Sequence, residues 1–285
     1  MEPVPRSTGS VVDRLAAAGC VAADEEAHDL VTAAPDPATL EAWIVRRERG
    51  EPLEWITGAM RFCGHRLAVD PGVYVPRRQS EELAHRAAAL LATCGGRAVD
   101  LCTGAGPIAV HLKAAAPNAP VVGVDVDERA AACAKRNGVN VVVGDLAESL
   151  QPGGFDLVTA VAPYVPTPEL GFLPADVQRY EPRLALDGGS DGLDVVRRVV
   201  AAAARLLRID GWLVLEVGGA QDEHLRPTLA EAGFRPATPW WDEHGDLRGV
   251  GAQFARRDPR TPRAAHVTEP TAFLRRDRAT PASGS

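Results

Sequence analysis

Three aspartates, each closing an apolar run, carry the clearest chemical signal in the chain. The first lies in Val99-Asp100-Leu101-Cys102-Thr103-Gly104-Ala105-Gly106-Pro107, the second ends Val121-Val122-Gly123-Val124-Asp125, and the third ends Val139-Asn140-Val141-Val142-Val143-Gly144-Asp145. Glycines let a backbone approach a ligand closely, and a helix N-terminus beside them is a polar platform. An acid at a strand tip can accept from both ribose hydroxyls. These residues predict a site for an adenosine-containing cofactor.

The glycine spacing narrows the choice. A dinucleotide fold needs G-x-G-x-x-G and a P-loop needs a trailing Gly-Lys-Ser/Thr. Here the turn reads D-x-C-x-G-x-G, with no lysine and no third glycine. An acid just before the glycines would repel a pyrophosphate and attract an ammonium. S-adenosylmethionine (SAM) carries an ammonium and a sulfonium and no phosphate. The predicted cofactor contacts are Asp100, Cys102, Thr103, Gly104, Gly106, Asp125, Val126, Gly144, Asp145 and Leu146. Asp100 is assigned to the methionine end, Asp125 to the ribose, and Asp145 to the adenine amino group or to a helix N-cap. Cys102 reads as a small filler.

Such a site needs a parallel sheet covered on both faces, and the chain supplies the pattern. Strands are predicted at 97–102, 120–125, 139–144, 155–161 and 211–217, and helices at 80–93, 107–116, 128–137, 191–208 and 220–232. Ala237–Trp241 and Gly249–Ala255 read as a closing antiparallel hairpin. Ahead of this lie three helical stretches, Ser10–Ala18, Ala23–Ala33 and Pro37–Arg49, then a β-hairpin of Met60–Val69 with Val73–Val75, turned at Asp70-Pro71-Gly72. The expected division is 1–58 helical, 59–79 hairpin linker, 80–257 cofactor-binding sheet, and 258–285 a disordered tail whose Arg275-Arg276 and Arg278 could touch an acidic partner.

Composition sets the bounds. With 46% hydrophobic and 24% charged residues, the 285-residue chain can bury a sizeable core. A net charge of −7 argues against a general nucleic-acid binder. No apolar run reaches membrane-spanning length, and the N-terminus lacks a secretory pattern, so the expected setting is cytoplasmic. Cys20, Cys63, Cys94, Cys102 and Cys133 are odd in number and lack C-x-x-C spacing. They predict reduced thiols and no metal site.

Substrate chemistry is expected at the tip of the fourth strand, Ala160-Val161-Ala162-Pro163-Tyr164-Val165-Pro166. Proline ends the ladder there and frees nearby carbonyls, and Tyr164 offers a flat ring. The predicted catalytic wall is Val161, Ala162, Pro163 and Tyr164, with Arg77, Tyr164 and Glu181 as substrate contacts. His65, His85, His111 and His244 read as surface or structural, His65 being the one expected nearest the site, and Glu216 as a structural acid.

With these motifs in view, the chain resembles the protein-(glutamine-N5) methyltransferases that modify peptide-chain release factors, from about Val11 to Ala255. The resemblance rests on Glu51-Pro52-Leu53-Glu54-Trp55-Ile56-Thr57-Gly58, Val75-Pro76-Arg77-Arg78 with Glu81, and Asp100–Gly106. It continues through Ala162-Pro163-Tyr164 on the family's Asn-Pro-Pro-Tyr signature, Arg179-Tyr180-Glu181-Pro182, Gly188-Gly189-Ser190-Asp191-Gly192 and Leu215-Glu216-Val217-Gly218-Gly219-Ala220-Gln221. It implies a Rossmann-like class I methyltransferase α/β fold, SAM as cofactor, methyl transfer to an amide or amine nitrogen, and an N-terminal helical domain that holds a release factor. Val161 departs from it, standing where the family's asparagine accepts a hydrogen bond from the substrate amide, and Ala162 replaces the first signature proline. Two alternatives therefore stay open: a SAM-dependent enzyme acting on a small metabolite (or transforming SAM's own aminocarboxypropyl group), and a non-catalytic SAM-binding protein.

Overall fold

The computed structural model describes residues 8–255, so the predicted tail over 258–285 lies outside the described residues. Three helices open the chain: α1 (Thr8–Ala17), α2 (Ala23–Ala33) and α3 (Pro37–Glu48). Asp36 caps α3 by accepting the Ala38 and Thr39 amides at 2.9 Å, and Pro37 fits the first helical position. Val11, Leu15, Ala27, Leu30 and Ile44 bury one shared core. Arg14 forks onto Glu48 and Glu41 across this bundle, and Arg47 onto Glu26. A further short helix, α4 (Leu53–Thr57), completes the helical part.

The hairpin is tighter than the sequence predicts. Its strands are β1 (Ala59–Phe62) and β2 (His65–Ala68), and its turn is Cys63-Gly64, with φ of 47° and 77°. Two positive φ values match the right-handed twist of the strands, which a two-residue hairpin needs. Asp70-Pro71-Gly72 instead forms a separate turn, closed by the Val73 amide on the Asp70 carbonyl at 3.0 Å. Proline and a glycine at φ 84° suit its two central positions. Val73–Val75 is thereby turned away from the hairpin.

The large sheet contains β3 (Ala98–Leu101), β4 (Val121–Asp125), β5 (Asn140–Val143), β6 (Phe155–Ala160), β7 (Leu207–Glu216), β8 (Thr238–Trp241) and β9 (Leu247–Gln253). Their spatial order is β5-β4-β3-β6-β7-β9-β8. The first five are parallel, while β9 runs antiparallel to both β7 and β8. Helices α5 (Glu81–Cys94), α6 (Pro107–Ala115) and α7 (Glu128–Arg136) pack on one face, and α9 (Asp194–Leu206) and α10 (Gln221–Glu231) on the other. Successive residues of a strand feed opposite cores: Val99 and Leu101 join α9, whereas Ala98 joins α5.

Between β6 and α9 the chain forms 3-10 turns and α8 (Ala175–Tyr180), none of which the sequence pattern predicts. The predicted helix over 191–208 ends at Leu206, and β7 starts at once, four residues earlier than expected. The strand order reverses between β3 and β6. A crevice therefore opens at their carboxyl ends, the position where open α/β sheets bind ligands.

Candidate active site

Asp100 sits at the end of β3 and is almost fully buried. Thr103 donates its hydroxyl to one carboxylate oxygen at 2.7 Å, and Thr159, its register partner on β6, donates to the other at 2.7 Å. Burial outweighs these bonds and pushes Asp100 up to about 6. Thr103 thus orients the acid more than it faces the crevice.

Asp125 ends β4 with both oxygens engaged. The Gly104 amide donates to Oδ2 at 2.8 Å and the Asp127 amide to Oδ1 at 2.9 Å. A carboxylate oxygen has two lone pairs, so each keeps one free. Burial raises its pKa. The Gly104 α-carbon faces open space, whereas a methyl at Gly106 would lie 2.7 Å from Val139 Cγ2. Gly104 therefore lines the cavity, and Gly106 lets α6 pack closely on the chain entering β5.

A cleft of about 130 Å³ gathers Cys102, Gly104, Asp125, Val126, Gly144, Asp145 and Leu146, with Val161 and Pro163. Asp145 is already engaged, taking Arg198 Nη2 at 2.6 Å. Asp100 and Thr103 line a smaller continuation of about 30 Å³, together with Arg77, Tyr74 and Val161. Burial pushes the Cys102 thiol up, so it stays protonated.

An outer cleft of about 680 Å³ lies between the N-terminal helices and the sheet. Arg47, Tyr74, Arg77, Gln79, Val161, Ala162 and Tyr164 contribute to its wall. Tyr74 and Val161 line this cleft and both inner ones, so the spaces meet at these two side chains. Among the described residues no group donates to the Ala162 carbonyl, although the neighbouring Tyr164 carbonyl accepts Gln221 Nε2 at 2.9 Å.

The outer wall is braced from both sides. Arg77 pairs with Glu181, whose carboxylate is buried. Tyr164 gives its hydroxyl to Glu216 at 3.1 Å and accepts Gln79 Nε2 at 3.0 Å, leaving its ring to face the cleft. Burial keeps this phenol, and that of Tyr74, neutral by raising both, Tyr74 to about 12. Tyr180 ties the loop after β6 to the helical part, through its hydroxyl on the Arg49 carbonyl at 3.1 Å and its ring edge-on to Trp55.

Most of the predicted residues thus converge on one crevice. His65 does not, for it lies beside His111 of α6 and lines none of these clefts. Glu216 orients Tyr164 and Gln79. Tyr74 and Gln79 also line these clefts, which the sequence pattern does not predict. The available signal for Tyr74 was an aromatic residue between two valines, just before Pro76-Arg77.

The strand order and the crevice define a class I SAM-dependent methyltransferase, and a family model described as a methyltransferase domain matches residues 98–179. A release factor glutamine methyltransferase of Geobacter sulfurreducens is 38% identical over 222 residues, covering 76% of this chain and 78% of that one. A 4-amino-L-phenylalanine/4-methylamino-L-phenylalanine methyltransferase of Streptomyces pristinaespiralis is 37% identical over 219 residues, 73% and 74% of the two chains. Among solved structures the hMettl16 catalytic domain, in complex with a 3'UTR hairpin, shares the fold with a TM-score of 0.52. It is 15% identical, and the match covers 78% of this chain and 80% of that one. The chain belongs to the protein-(glutamine-N5) methyltransferase family. No helix among the described residues is long and apolar enough to cross a membrane.

Proposed function

We propose that the chain transfers a methyl group from SAM to a side-chain amide nitrogen presented on a protein loop. Release factors and ribosomal proteins are the substrate class its relatives' names indicate. The observation that carries this reading is the meeting of the inner and outer clefts at Val161 and Tyr74, beside the unengaged Ala162 carbonyl.

The inner cleft fits SAM by its chemistry. The free lone pairs of Asp125 suit two ribose hydroxyls, and the bare face of Gly104 admits a close backbone approach. Asp100, at the methionine end, complements an ammonium, and no lysine in the turn awaits a phosphate. Val126 and Leu146 offer apolar surface for adenine, with Asp145 at its edge as acceptor. When bound, SAM supplies an electrophilic methyl.

The chain's own work is positioning. Ala162 accepts a hydrogen bond from the substrate –NH2, Tyr164 walls one side of the acceptor group, and Tyr74 closes the channel against water. The Arg77–Glu181 pair stiffens the wall facing them. Alignment of this kind can supply several kcal/mol of barrier lowering without an acid or base. Val161 offers no acceptor for the second amide proton, so the amide is held by one bond from this loop.

Methylation of a purified release factor, read by mass spectrometry of its Gly-Gly-Gln peptide, tests this reading. A single added methyl on that glutamine supports it. Absence of the product, with SAM binding intact, overturns it and favours a second reading, methylation of an amine nitrogen on a small metabolite. Val161 supports that alternative, because an amine on an apolar skeleton needs no paired acceptors. The aromatic-amine relative acts on a substrate of that kind by its name.

A further inference from the structure

A second cluster lies away from the crevice, where the β1–β2 turn rests on α5 and α6. Cys63 occupies the turn, His85 stands on α5 and His111 on α6, and one donor atom from each lies within 4.8 Å of the others. His65, at the start of β2, brings Nε2 to 3.4 Å from His111 Nδ1. The His85 ring meets the His111 ring edge-on, with centroids 4.8 Å apart. This is the only such group of nitrogen and sulfur donors among the described residues.

Packing alone does not call for these residue types. The hairpin is already seated through Phe62 and Leu67, buried against Leu83, Ile108 and Leu112. It is also pinned by Asn137, which donates to the Ala68 and Ala105 carbonyls and accepts the Ala68 amide. Three imidazoles cluster beside that apolar layer, and the Cys63 side chain packs on its edge with the sulfur 4.0 Å from the Glu81 carbonyl oxygen. Glu81, the acid beside them, has one oxygen committed to the Cys63 amide at 2.9 Å. The His65–His111 spacing matches the separation of about 3.4 Å between two nitrogens bound to one tetrahedral zinc at about 2.0–2.1 Å.

We propose that Cys63, His85 and His111 bind a divalent transition metal of the zinc class, with His65, which lies against His111 but outside that group, turning in as the fourth donor. Sulfur with imidazole nitrogen selects zinc, or cobalt and nickel in its place, over magnesium and calcium, which take oxygen ligands. On binding, the Cys63 thiol releases its proton to solvent, a metal–sulfur bond forms, and bound waters leave the ion. The ion staples the hairpin to two helices, one of which begins at the cofactor glycine turn. None of the four side chains lines the crevice, so the role is structural.

The full chain, stripped with a chelator, would be titrated with zinc sulfate by calorimetry and with cobalt(II) by absorption. One equivalent should bind. The cobalt form should show a thiolate-to-metal band in the near ultraviolet, which disappears in Cys63→Ser. His85 is exposed, so His85→Ala leaves the core intact, as circular dichroism of the metal-free protein would verify. It should weaken zinc binding by about tenfold or more. Zinc should raise the melting temperature of the parent chain but not that of His85→Ala/His111→Ala. Stoichiometric binding unchanged in Cys63→Ser and His85→Ala would overturn the proposal, as would the absence of saturable binding.

Discussion

Thr159 on β6 donates its hydroxyl to Asp100 on β3 at 2.7 Å, across the pair of strands where the sheet order reverses. This bond, with its counterpart from Thr103, fixes the rotamer of the acid that lines the smaller inner cleft, where the proposed function puts the methionine end of SAM. The acid is strained electrostatically all the same, because burial raises its pKa to about 6.

That conflict gives a prediction with two signs. The folded chain holds a proton on Asp100 that the unfolded chain releases between pH about 4 and 6. Stability of the cofactor-free protein from this group is therefore full below that window and lost as pH rises through it. Asp100→Asn should raise the melting temperature at neutral pH, since either threonine hydroxyl can rotate to accept from the amide. SAM affinity, measured by calorimetry, should fall at least tenfold in the same variant. For the parent chain it should weaken as pH drops below about 6. A variant that loses stability and keeps its affinity would contradict this assignment.

Thr159→Val tests the same contact from the other side. It leaves a buried carboxylate oxygen without its donor, a loss of about 1–3 kcal/mol. Chemical denaturation at neutral pH should show the drop, and a serine at this position should restore most of it.

Val161→Asn adds an acceptor at the junction of the clefts. If an amide is the substrate, the second bond should raise kcat by up to about a hundredfold, because about 1–3 kcal/mol in the transition state corresponds to about five- to somewhat over a hundredfold. Rate on an amine substrate should fall instead. Single-turnover assays with both acceptor types separate these outcomes.

Asp125→Ala removes the oxygens that hold Gly104 and Asp127 as well as the proposed ribose contact. Calorimetry should show SAM affinity reduced about a hundredfold. Hydrogen exchange should speed at the Gly104 amide, a readout that loss of the ribose contact alone would not produce.

Arg77 and Glu181 make the last test. Arg77→Ala leaves the buried Glu181 carboxylate unpaired, and such losses cost on the order of 3–5 kcal/mol in a fully buried pair. The Arg77 side chain is 31% exposed, so a smaller drop is expected by thermal denaturation. Glu181→Gln placed on top of Arg77→Ala should recover part of it. Were the double variant no more stable than Arg77→Ala, the pair would not be brace material for the cleft.

The parts legible in the sequence are those set by local residue patterns. Val99-Asp100 followed by Gly104 and Gly106 specifies strand, turn and helix within ten residues, and the three acids mark three strand tips without further information. The sequence pattern puts the hairpin turn in the wrong place because Asp70-Pro71-Gly72 carries a strong turn signal of its own, whereas Cys63 adopts a positive φ that its residue type does not announce. Tyr74 is not legible as a site residue because its position as a shared wall depends on that same turn.

What the sequence determined by itself was the class of the fold and the placing of three acids at the tips of its strands, because strand periodicity, glycine spacing and charge act over a few residues. Tertiary structure decided the rest. It joined Val161 and Tyr74 at the meeting of the clefts, paired Arg77 with Glu181, and gathered Cys63, His85 and His111 from a turn and two helices. Those relations depend on how separate elements pack, and packing distances are not written in the spacing of residues along one chain.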